Sequence, residues 1–290
     1  MKGAMLAMVI LTGAVAWPQA ASRGVEAQDV VRRTLSFGGG AGVRRLEVDN
    51  VFGGIRVTGS DTSAVQLVAR QRIKADNEER LALARQEVTL DIREGPSMRI
   101  YVDGPFRDER GTRGGWRNYN RNHGWSLGYE VKYDFELNVP REVDVVLRTV
   151  NDGEITVSGI GGQFDVDNVN GGATLDVARG AGRVHTVNGD VRVTLGSVPA
   201  GRCHFETLNG EVEVRVPGNL AADVFFQTFN GEAYTDFELT SRPGPLPVVE
   251  ERQGKRVYRS GRGAAYRIGA GGPELSLETF NGDIRLVKGK

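Results

Sequence analysis

A motif built around Asn-Gly recurs along this chain and constrains its fold more than any other feature. Four copies have the form T-Φ-N-G, where Φ is an apolar residue: Thr186–Gly189, Thr207–Gly210, Thr228–Gly231 and Thr279–Gly282. Three looser copies precede them: Asn50–Gly54, in which Phe52 replaces the asparagine, Thr149–Gly153 and Asn168–Gly171. Because a motif repeated at short intervals is typical of stacked supersecondary units, most of the chain is predicted to be one small unit repeated.

The spacing of the copies sets the size of that unit. Consecutive motif asparagines recur every 18–21 residues at Asn151, Asn170, Asn188, Asn209 and Asn230. The next one, Asn281, follows after a longer interval, which corresponds to one unit plus an insert of about 30 residues. Apolar residues alternate on both sides of each Asn-Gly, which predicts two short strands per unit. We therefore place a β-repeat region at 143–290 and assign its insert, 241–272, to a protruding loop or hairpin.

Two all-β architectures are compatible with this pattern. In a β-solenoid each unit is one rung of two strands, Asn-Gly forms a corner, and the rungs stack about 4.8 Å apart. In an antiparallel meander each Asn-Gly is a hairpin turn, which this dipeptide favours. We predict the solenoid because the motif threonine would form an inward ladder in stacked rungs and has no role in a hairpin. The corners of the repeats would be Asn170, Gly171, Asn188, Gly189, Asn209, Gly210, Asn230, Gly231, Asn281 and Gly282.

Residues 1–27 have the composition of a secretory signal peptide. Lys2 precedes an apolar run at 4–16, and small residues then offer cleavage sites after Ala21 or Ala27. An uncleaved anchor helix is the alternative, although the run is short for a membrane span. The sequence contains no later apolar run of membrane-spanning length. We therefore expect an exported protein, located in the periplasm, at the cell surface or outside the cell.

Residues 28–142 are predicted to form a β region with one short helix at about 77–87. The helix is indicated by strong helix formers and by Asp76 and Glu79, which have the spacing of a capping box. The segment 103–128 interrupts the strand pattern and is long for a connection in a compact domain. Its arginines and aromatic residues suit stacking on sugar rings and pairing with acidic groups, so a ligand-binding loop is one interpretation and a solvated loop is the other. The candidate ligand-binding residues are Arg107, Arg113, Trp116, Arg117, Tyr119, Arg121 and Trp125.

Composition and motifs bear on several other function classes. The formal net charge is zero, so no basic field points to nucleic acid. The sequence has no P-loop, zinc-protease or serine-hydrolase motif, so no catalytic residue, cofactor or metal site is predicted. Cys203 is the only cysteine and occupies an apolar strand position, which predicts a small buried hydrophobe. The segment 165–176 resembles a calcium loop but has Asn170 where the required glycine should be, so that interpretation is rejected.

Polar residues at equivalent positions of the unit would form columns in a stacked structure. A carboxylate column would either bind Ca²⁺ or splay into water beside arginines, and it consists of Asp190, Glu211, Glu232 and Asp283. A second column would lie on the outer face of the stack and contain Asp167, His185, Glu206, Gln227 and Glu278. Asp165 and Asp167 with Glu206 could be proposed as a carbohydrate-active site only by analogy with catalytic β-helices.

The combined motifs resemble a bacterial protein family. The leader, the segment 49–59 (DNVFGGIRVTG), the repeated T-Φ-N-G-x-Φ-x-Φ and the terminal segment 271–286 (GGPELSLETFNGDIRL) are similar to the "putative adhesin" family of unknown function, whose β repeats are related in style to autotransporter adhesin heads. The resemblance covers roughly 30–288, leaves the loop 103–128 outside the shared pattern and supplies no catalytic motif.

The resemblance implies an exported, non-catalytic β-solenoid that binds or scaffolds in the cell envelope. Its partner would be a glycan, another envelope component or a protein. One alternative is a β-helical polysaccharide lyase or glycosidase. Another is an accessory protein that recognises a partner protein through the insert 241–272.

Overall fold

The computed structural model of this protein describes residues 24–38, 42–107, 127–242, 248–252, 255–259 and 263–289. The protein is mostly β, as predicted, with one helix in the described chain, α1 (Glu78–Glu87). The first strands are β1 (Val25–Leu35), β2 (Arg45–Asp49), β3 (Ile55–Ser60), β4 (Val65–Ala75), β5 (Thr89–Arg93), β6 (Ser97–Asp103), β7 (Tyr129–Pro140), β8 (Asp144–Thr149) and β9 (Ile155–Ser158). They are followed by β10 (Phe164–Asn170), β11 (Ala173–Ala178), β12 (Gly182–Asn188), β13 (Val191–Leu195), β14 (Cys203–Asn209), β15 (Val212–Val216) and β16 (Ala222–Asn230). The last strands are β17 (Ala233–Thr235), β18 (Thr240–Ser241), β19 (Val248–Arg252), β20 (Lys255–Arg259), β21 (Ala264–Ile268), β22 (Glu274–Asn281) and β23 (Ile284–Lys288).

These strands form two large mixed sheets and one small hairpin sheet. The first sheet has ten strands in the order β1-β4-β7-β3-β9-β11-β13-β15-β23-β17. The second has eleven strands in the order β18-β21-β16-β22-β14-β12-β10-β8-β2-β6-β5. Strands β19 and β20 pair with each other. The buried apolar side chains of both large sheets form one continuous hydrophobic core.

The two strands that flank each Asn-Gly belong to different sheets. Strand β12 ends at Asn188 in the second sheet, whereas β13 begins at Val191 in the first. Successive copies pair in parallel and in register, so that Asn188 lies opposite Asn170 on one side and Asn209 on the other. A hairpin would pair the two flanking strands with each other. The antiparallel meander of Asn-Gly hairpins is therefore wrong for these copies.

The last copy of the motif does not follow the preceding one in space. Strands β22 and β23 pair with β14 and β15 on one side and with β16 and β17 on the other. The C-terminal copy is therefore inserted between the two copies that precede it in sequence. The intervening chain makes this return possible, because β21 runs antiparallel along β16 before the chain enters β22.

The N-terminal part completes one end of both sheets. Strands β1, β4 and β7 pair in antiparallel order, and β2 and β3 pair in parallel with β8 and β9 of the motif region. The predicted helix is confirmed as α1, which places Leu81 and Ala84 in the core. The expected cap is wrong by one residue, since the side chain of Asn77 rather than Asp76 accepts the Arg80 amide, over 2.9 Å. Both residue types cap helices well, so spacing alone did not distinguish them.

Candidate binding surface

Threonine hydroxyls hold the corners from the inside. Thr186 Oγ1 and Thr207 Oγ1 lie 2.7 and 2.8 Å from the carbonyl oxygen of Gly189, and 2.8 Å from each other. Thr279 donates in the same way to the carbonyl oxygen of Gly210, over 3.0 Å. All three threonines are buried. Because buried polar groups require hydrogen-bond partners, each buried threonine hydroxyl is satisfied by a carbonyl of the Asn-Gly turn.

Asparagine fills the threonine position in two of the looser copies and performs the same task. Asn168 Nδ2 donates to the carbonyl oxygens of Gly153 and Gly172, both over 3.0 Å. Asn50 Nδ2 likewise donates to two carbonyl oxygens, over 2.8 and 3.1 Å. A side-chain amide carries two protons, so it donates to two carbonyls where a threonine hydroxyl donates to one. The amide oxygens of Asn50 and Asn168 are buried without a hydrogen-bond partner in the described chain, so these departures from the motif gain a donor and leave one acceptor unsatisfied.

A ladder of side-chain amides runs along the corners. Each amide nitrogen donates to the amide oxygen of the next asparagine over 2.7–2.8 Å. In spatial order the ladder contains Asn151, Asn170, Asn188, Asn209, Asn281 and Asn230. Such ladders stabilise strands stacked in register, so the asparagine has a structural reason to recur.

The glycine after each asparagine lies directly against the backbone of the adjacent copy. A Cβ atom on Gly210 would lie 2.4 Å from the carbonyl oxygen of Gly189. A Cβ atom on Gly282 would lie 2.0 Å from the carbonyl oxygen of Gly210. Both distances are far below van der Waals contact, so a side chain would have to push the two copies apart. Close stacking of the corners therefore requires glycine here.

The apolar residue between threonine and asparagine is exposed at the C-terminal end of the stack. Leu208, Phe280 and Phe229 are each 45–47% exposed and form an apolar stripe beside the asparagine ladder. The rings of Phe280 and Phe229 stack with centroids 4.7 Å apart and planes 5° apart. At the other end of the stack the equivalent residues Val51 and Val150 are buried. The stack thus offers a ridge of apolar side chains at one end only.

The outer face of the second sheet carries the polar column that the sequence predicts. Asp167 lies opposite His185, His185 opposite Glu206, and Glu206 opposite Glu278, with Gln227 next to Glu278. The order of the last two residues differs from the order of the sequence because β22 lies between β14 and β16. This polar column adjoins the apolar stripe, since both use the same strands.

In one half of the polar column, His204 lies between two carboxylates. His204 Nε2 lies 3.2 Å from a carboxylate oxygen of Glu206, and His204 Nδ1 lies 3.6 Å from one of Glu278. Ser276 donates a further hydrogen bond to Glu278 over 2.7 Å. The hydrogen bond with Glu206 raises the pKa of His204 above its usual value, and the same bond lowers the pKa of Glu206. The cluster therefore favours a protonated histidine between two carboxylates.

In the other half of the polar column, two arginines form ion pairs with the carboxylates. Arg183 Nη2 lies 2.8 Å from Asp167 and 3.3 Å from Asp165, and Arg148 lies 3.5 Å from each of the same two carboxylates. Although burial acts to raise the pKa of Asp167, a hydrogen bond from His185 and the two arginines lower it overall. The lowered pKa keeps Asp167 in its charged form beside these cations.

These ion pairs help to decide whether Asp165, Asp167 and Glu206 could act as the carboxylates of a glycosidase. A general acid in such an enzyme must keep its proton near neutral pH, which requires a raised pKa. The pKa values of Asp167 and Glu206 are both lowered. The arrangement is therefore suited to ion pairing, and neither of these two carboxylates is suited to donate a proton to a leaving group.

Two members of the second carboxylate column, Asp190 and Asp283, bind neighbouring groups. Asp190 Oδ1 accepts the backbone amide of Glu211 over 2.9 Å, and Asp190 Oδ2 lies 2.6 Å from Arg192. Asp283 accepts the backbone amide of Glu232 over 3.1 Å. Within the described ranges, histidine, cysteine, aspartate and glutamate form no group of three placed to hold a metal ion. These carboxylates link adjacent copies of the motif.

Arg107 fixes the start of the predicted ligand-binding loop to the stack. Its guanidinium donates to the carboxylate of Asp49 over 2.9 Å and to the Val102 carbonyl over 3.0 Å, and it lies over the ring of Tyr101. Phe106 packs edge-on against Phe52, with centroids 6.4 Å apart. Burial raises the pKa of Asp49 even though Arg107 acts in the opposite direction. Arg107 therefore has a structural partner.

The other candidate ligand-binding residues lie outside the described residues: Arg113, Trp116, Arg117, Tyr119, Arg121 and Trp125. The candidate repeat corners, by contrast, all lie in the described chain, and the asparagine ladder and the glycine contacts join them into one line. Cys203 is buried and carries a free thiol.

The basic partners of the polar column could not be identified from the sequence. Arg148 and Arg183 belong to no recognised motif, and their roles depend on side-chain reach across strands. The register offered a signal, since Arg183 is opposite Asp165 once the motif copies are aligned. No sequence signal marked a depression of about 360 Å³ on the first sheet, where Lys132 donates to the Asp152 carbonyl over 2.8 Å.

Comparisons with known proteins give weak similarities only. No protein-family model matches the chain, and no curated protein matches it. A crystal structure of a "putative cell adhesion protein" from Clostridium sporogenes ATCC 15579 is 12% identical, with 92% of this chain and 100% of that chain covered and a TM-score of 0.40. A "putative adhesin" from Parabacteroides merdae ATCC 43184 is 8% identical, with 93% and 98% covered and a TM-score of 0.24. A "putative lipid binding protein" from Parabacteroides distasonis ATCC 8503 is 10% identical, with 93% and 98% covered and a TM-score of 0.24.

These similarities assign neither a family nor a function to the chain. Separately, the one helix of the described segments, α1, is too short and too polar to cross a membrane.

Proposed function

We propose that this protein is an exported β-solenoid that binds a component of the cell envelope and performs no catalysis on it. The observation that supports this best is the complete structural use of the recurring motif. From Thr186 to Thr279 the asparagine and glycine of each copy contact the adjacent copy, and the threonine hydroxyl bonds to a turn carbonyl or to the next threonine. A stack maintained in this way presents long, regular outer faces, which is typical of repeat proteins that bind through an extended surface.

The pairing of the copies supports the solenoid part of this proposal. Each copy contributes one strand to each sheet, and successive copies pair in parallel with asparagine opposite asparagine. We interpret each copy as one rung and each Asn-Gly as its corner. The C-terminal copy is then the penultimate rung in space.

The proposed ligand site is the loop 103–128, of which residues 103–107 lie against the N-terminal end of this stack. Its base is fixed, because Arg107 pairs with Asp49 and Phe106 packs against Phe52. Arginine recognises carboxylate and sulfate groups with its planar donor fork, while tryptophan stacks on sugar rings. We therefore propose an anionic glycan as the ligand.

A retention experiment tests the ligand. The full chain is passed over an immobilised sulfated polysaccharide, beside the variant Trp116→Ala/Trp125→Ala. The proposal predicts that the variant elutes at lower salt, while Phe280→Ala, which removes an exposed ring outside the loop, elutes with the parent protein. Equal retention of the parent and the tryptophan variant would overturn the glycan site.

Incubation with the polysaccharide separates binding from catalysis. The proposal predicts no new reducing ends and no new unsaturated products. Depolymerisation that is abolished by Asp167→Asn/Glu206→Gln would instead establish a carbohydrate-active enzyme.

We also propose that the leader is removed before Val25. Residues 25–27 belong to β1 and pair with residues 73–75 of β4. Cleavage after Ala27 would remove these three residues from the strand, whereas cleavage after Ala21 leaves the strand intact. Mass spectrometry of the exported protein should therefore give Ser22 as the first residue, and a chain beginning at Gln28 would contradict this.

A further inference from the structure

The edge of the first sheet carries a long strand with an unusual pattern of charge. Strand β1 spans eleven residues and pairs with β4 along one side only in the described chain. An edge strand of this length presents a row of backbone amides and carbonyls that another strand can pair with. Charged residues on the core-facing side of an edge strand normally oppose such pairing. In β1 they are arranged so that a second copy of the same strand would complement them.

We propose that two copies of this protein pair through β1, antiparallel and centred on Val31, to form a continuous sheet across a two-fold axis. This register places Asp29 of each copy opposite Arg33 of the other. Both residues lie on the same face as Val31, because side chains alternate along a strand. The same face pairs Ala27 with Leu35 of the second copy and Val31 with itself. On this face each of these charged side chains is therefore opposite one of the other sign, and each of these apolar side chains is opposite another apolar one.

The neighbouring registers lack this complementarity. A shift of the two-fold centre to residue 30 or 32 places Asp29 opposite Val31 or Leu35, and so buries a charge against an apolar side chain. A shift to residue 29 or 33 places Asp29 opposite itself or Arg33 opposite itself. Like charges directly opposite each other on paired strands are destabilising, whereas opposite charges stabilise the pair. Charge thus selects one register.

The surroundings of the two charged residues are compatible with this pairing. Arg33 is exposed and forms no ion pair within the described chain. Asp29 is half-exposed and lies 3.4 Å from Arg85 of α1, so it would lie between two arginines in the pair. On the opposite face, Val30 is 45% exposed and lies opposite Arg32 of the second copy, so no two charges are opposite each other there.

The contact is small for a protein interface, since one strand from each copy forms it. We therefore expect a reversible monomer–dimer equilibrium, in which the dimer is populated at about 100 µM and dissociates on dilution. Analytical ultracentrifugation of the full chain over a dilution series measures this equilibrium. A protein that remains monomeric at about 100 µM would overturn the proposal.

Charge reversal tests the register. Arg33→Asp places two acids opposite each other at both positions, and Asp29→Arg places two arginines there, so each variant alone should be monomeric. A mixture of the two variants restores an acid–arginine pair at both positions and should form a heterodimer. Arg32→Asp is the matched control, because it makes the same charge change one residue away on the other face and should leave the dimer intact. Equal disruption by Arg32→Asp and Arg33→Asp, or no recovery on mixing, would overturn the register.

A cross-link provides a second measurement that does not depend on affinity. Val31→Cys places two thiols opposite each other at the two-fold axis, within the Cα separation that a disulfide spans. Mild oxidation should yield a covalent dimer of this variant. Gln28→Cys, on the same strand but six positions from its counterpart in this register, should remain monomeric. Circular dichroism of each variant confirms that the fold is retained, and a cross-link in Gln28→Cys but not in Val31→Cys would contradict the proposed centre.

Discussion

Two buried threonines at one corner give a stability test, because either hydroxyl alone can still donate to the carbonyl that they share. Thr186 and Thr207 both lie within hydrogen-bond distance of the Gly189 carbonyl oxygen and of each other. Replacing either with valine removes one hydroxyl, but the remaining one still donates to the carbonyl. Each single variant should therefore lose about 1 kcal/mol of unfolding free energy, the typical net value of one hydrogen bond. The double variant leaves the carbonyl without its side-chain donors, which costs about 1–3 kcal/mol more.

The prediction is that Thr186→Val/Thr207→Val loses about 3–5 kcal/mol, whereas the two single losses sum to about 2 kcal/mol. Equilibrium unfolding in urea, followed by circular dichroism, measures all three variants. Thr174→Val is the control, because Thr174 is partly exposed on the first sheet and makes no hydrogen bond through its side chain in the described structure. Additive losses in the double variant, or an equal loss in the control, would refute the account of the corner.

Two further predictions concern the glycine contact and the histidine cluster. Gly210→Ala should lower the unfolding free energy by about 1–3 kcal/mol or more, because the new Cβ would overlap the Gly189 carbonyl. Gly218→Ala is the control and should change it little, since a Cβ there would have no atom nearer than 4.0 Å. Equal melting temperatures for the two variants would contradict the close stacking. His204→Gln should destabilise the protein most between about pH 4.5 and 6.5. The raised pKa of His204 stabilises the fold below the usual histidine pKa of 6.5, and this contribution is lost as the pH rises through the folded-state pKa. The lowered pKa of Glu206 stabilises the fold above the usual glutamate pKa of 4.5, and this contribution is lost as the pH falls through the folded-state pKa. A His204→Gln loss that is larger at pH 9 than at pH 5.5 would contradict this, as measured by thermal unfolding at both values.

The sequence allowed the register of the stack to be predicted because the motif marks equivalent positions directly. Aligning the asparagines placed Asp167, His185 and Glu206 in one column, and the strand pairing confirms it. The same alignment could not reveal the position of the C-terminal copy. An interval that contains an insert permits the chain to return to either side of the copy before it. Only the pairing of β22 with both β14 and β16 decides between the two.

The chemistry of the surface was less predictable than the fold. Whether a column of acids binds a cation depends on which basic groups reach it, and this is a property of side-chain length and direction. Asp190 has both an arginine and a backbone amide as partners, which the spacing of acids does not indicate. Arg107 shows the converse, since composition suggested a ligand-binding arginine and the structure gives it a buried partner in Asp49.

The order of the copies in space is the central claim, and a pair of engineered disulfides tests it most directly. Leu208 and Phe280 occupy exposed, equivalent positions on adjacent strands about 4.8 Å apart, whereas Leu208 and Phe229 are separated by two strand spacings. A disulfide requires Cα atoms within about 7 Å. We predict that Leu208→Cys/Phe280→Cys oxidises to an intramolecular cross-link and that Leu208→Cys/Phe229→Cys does not. A cross-link in the second variant and none in the first would show that the copies stack in the order of the sequence, and would contradict the account.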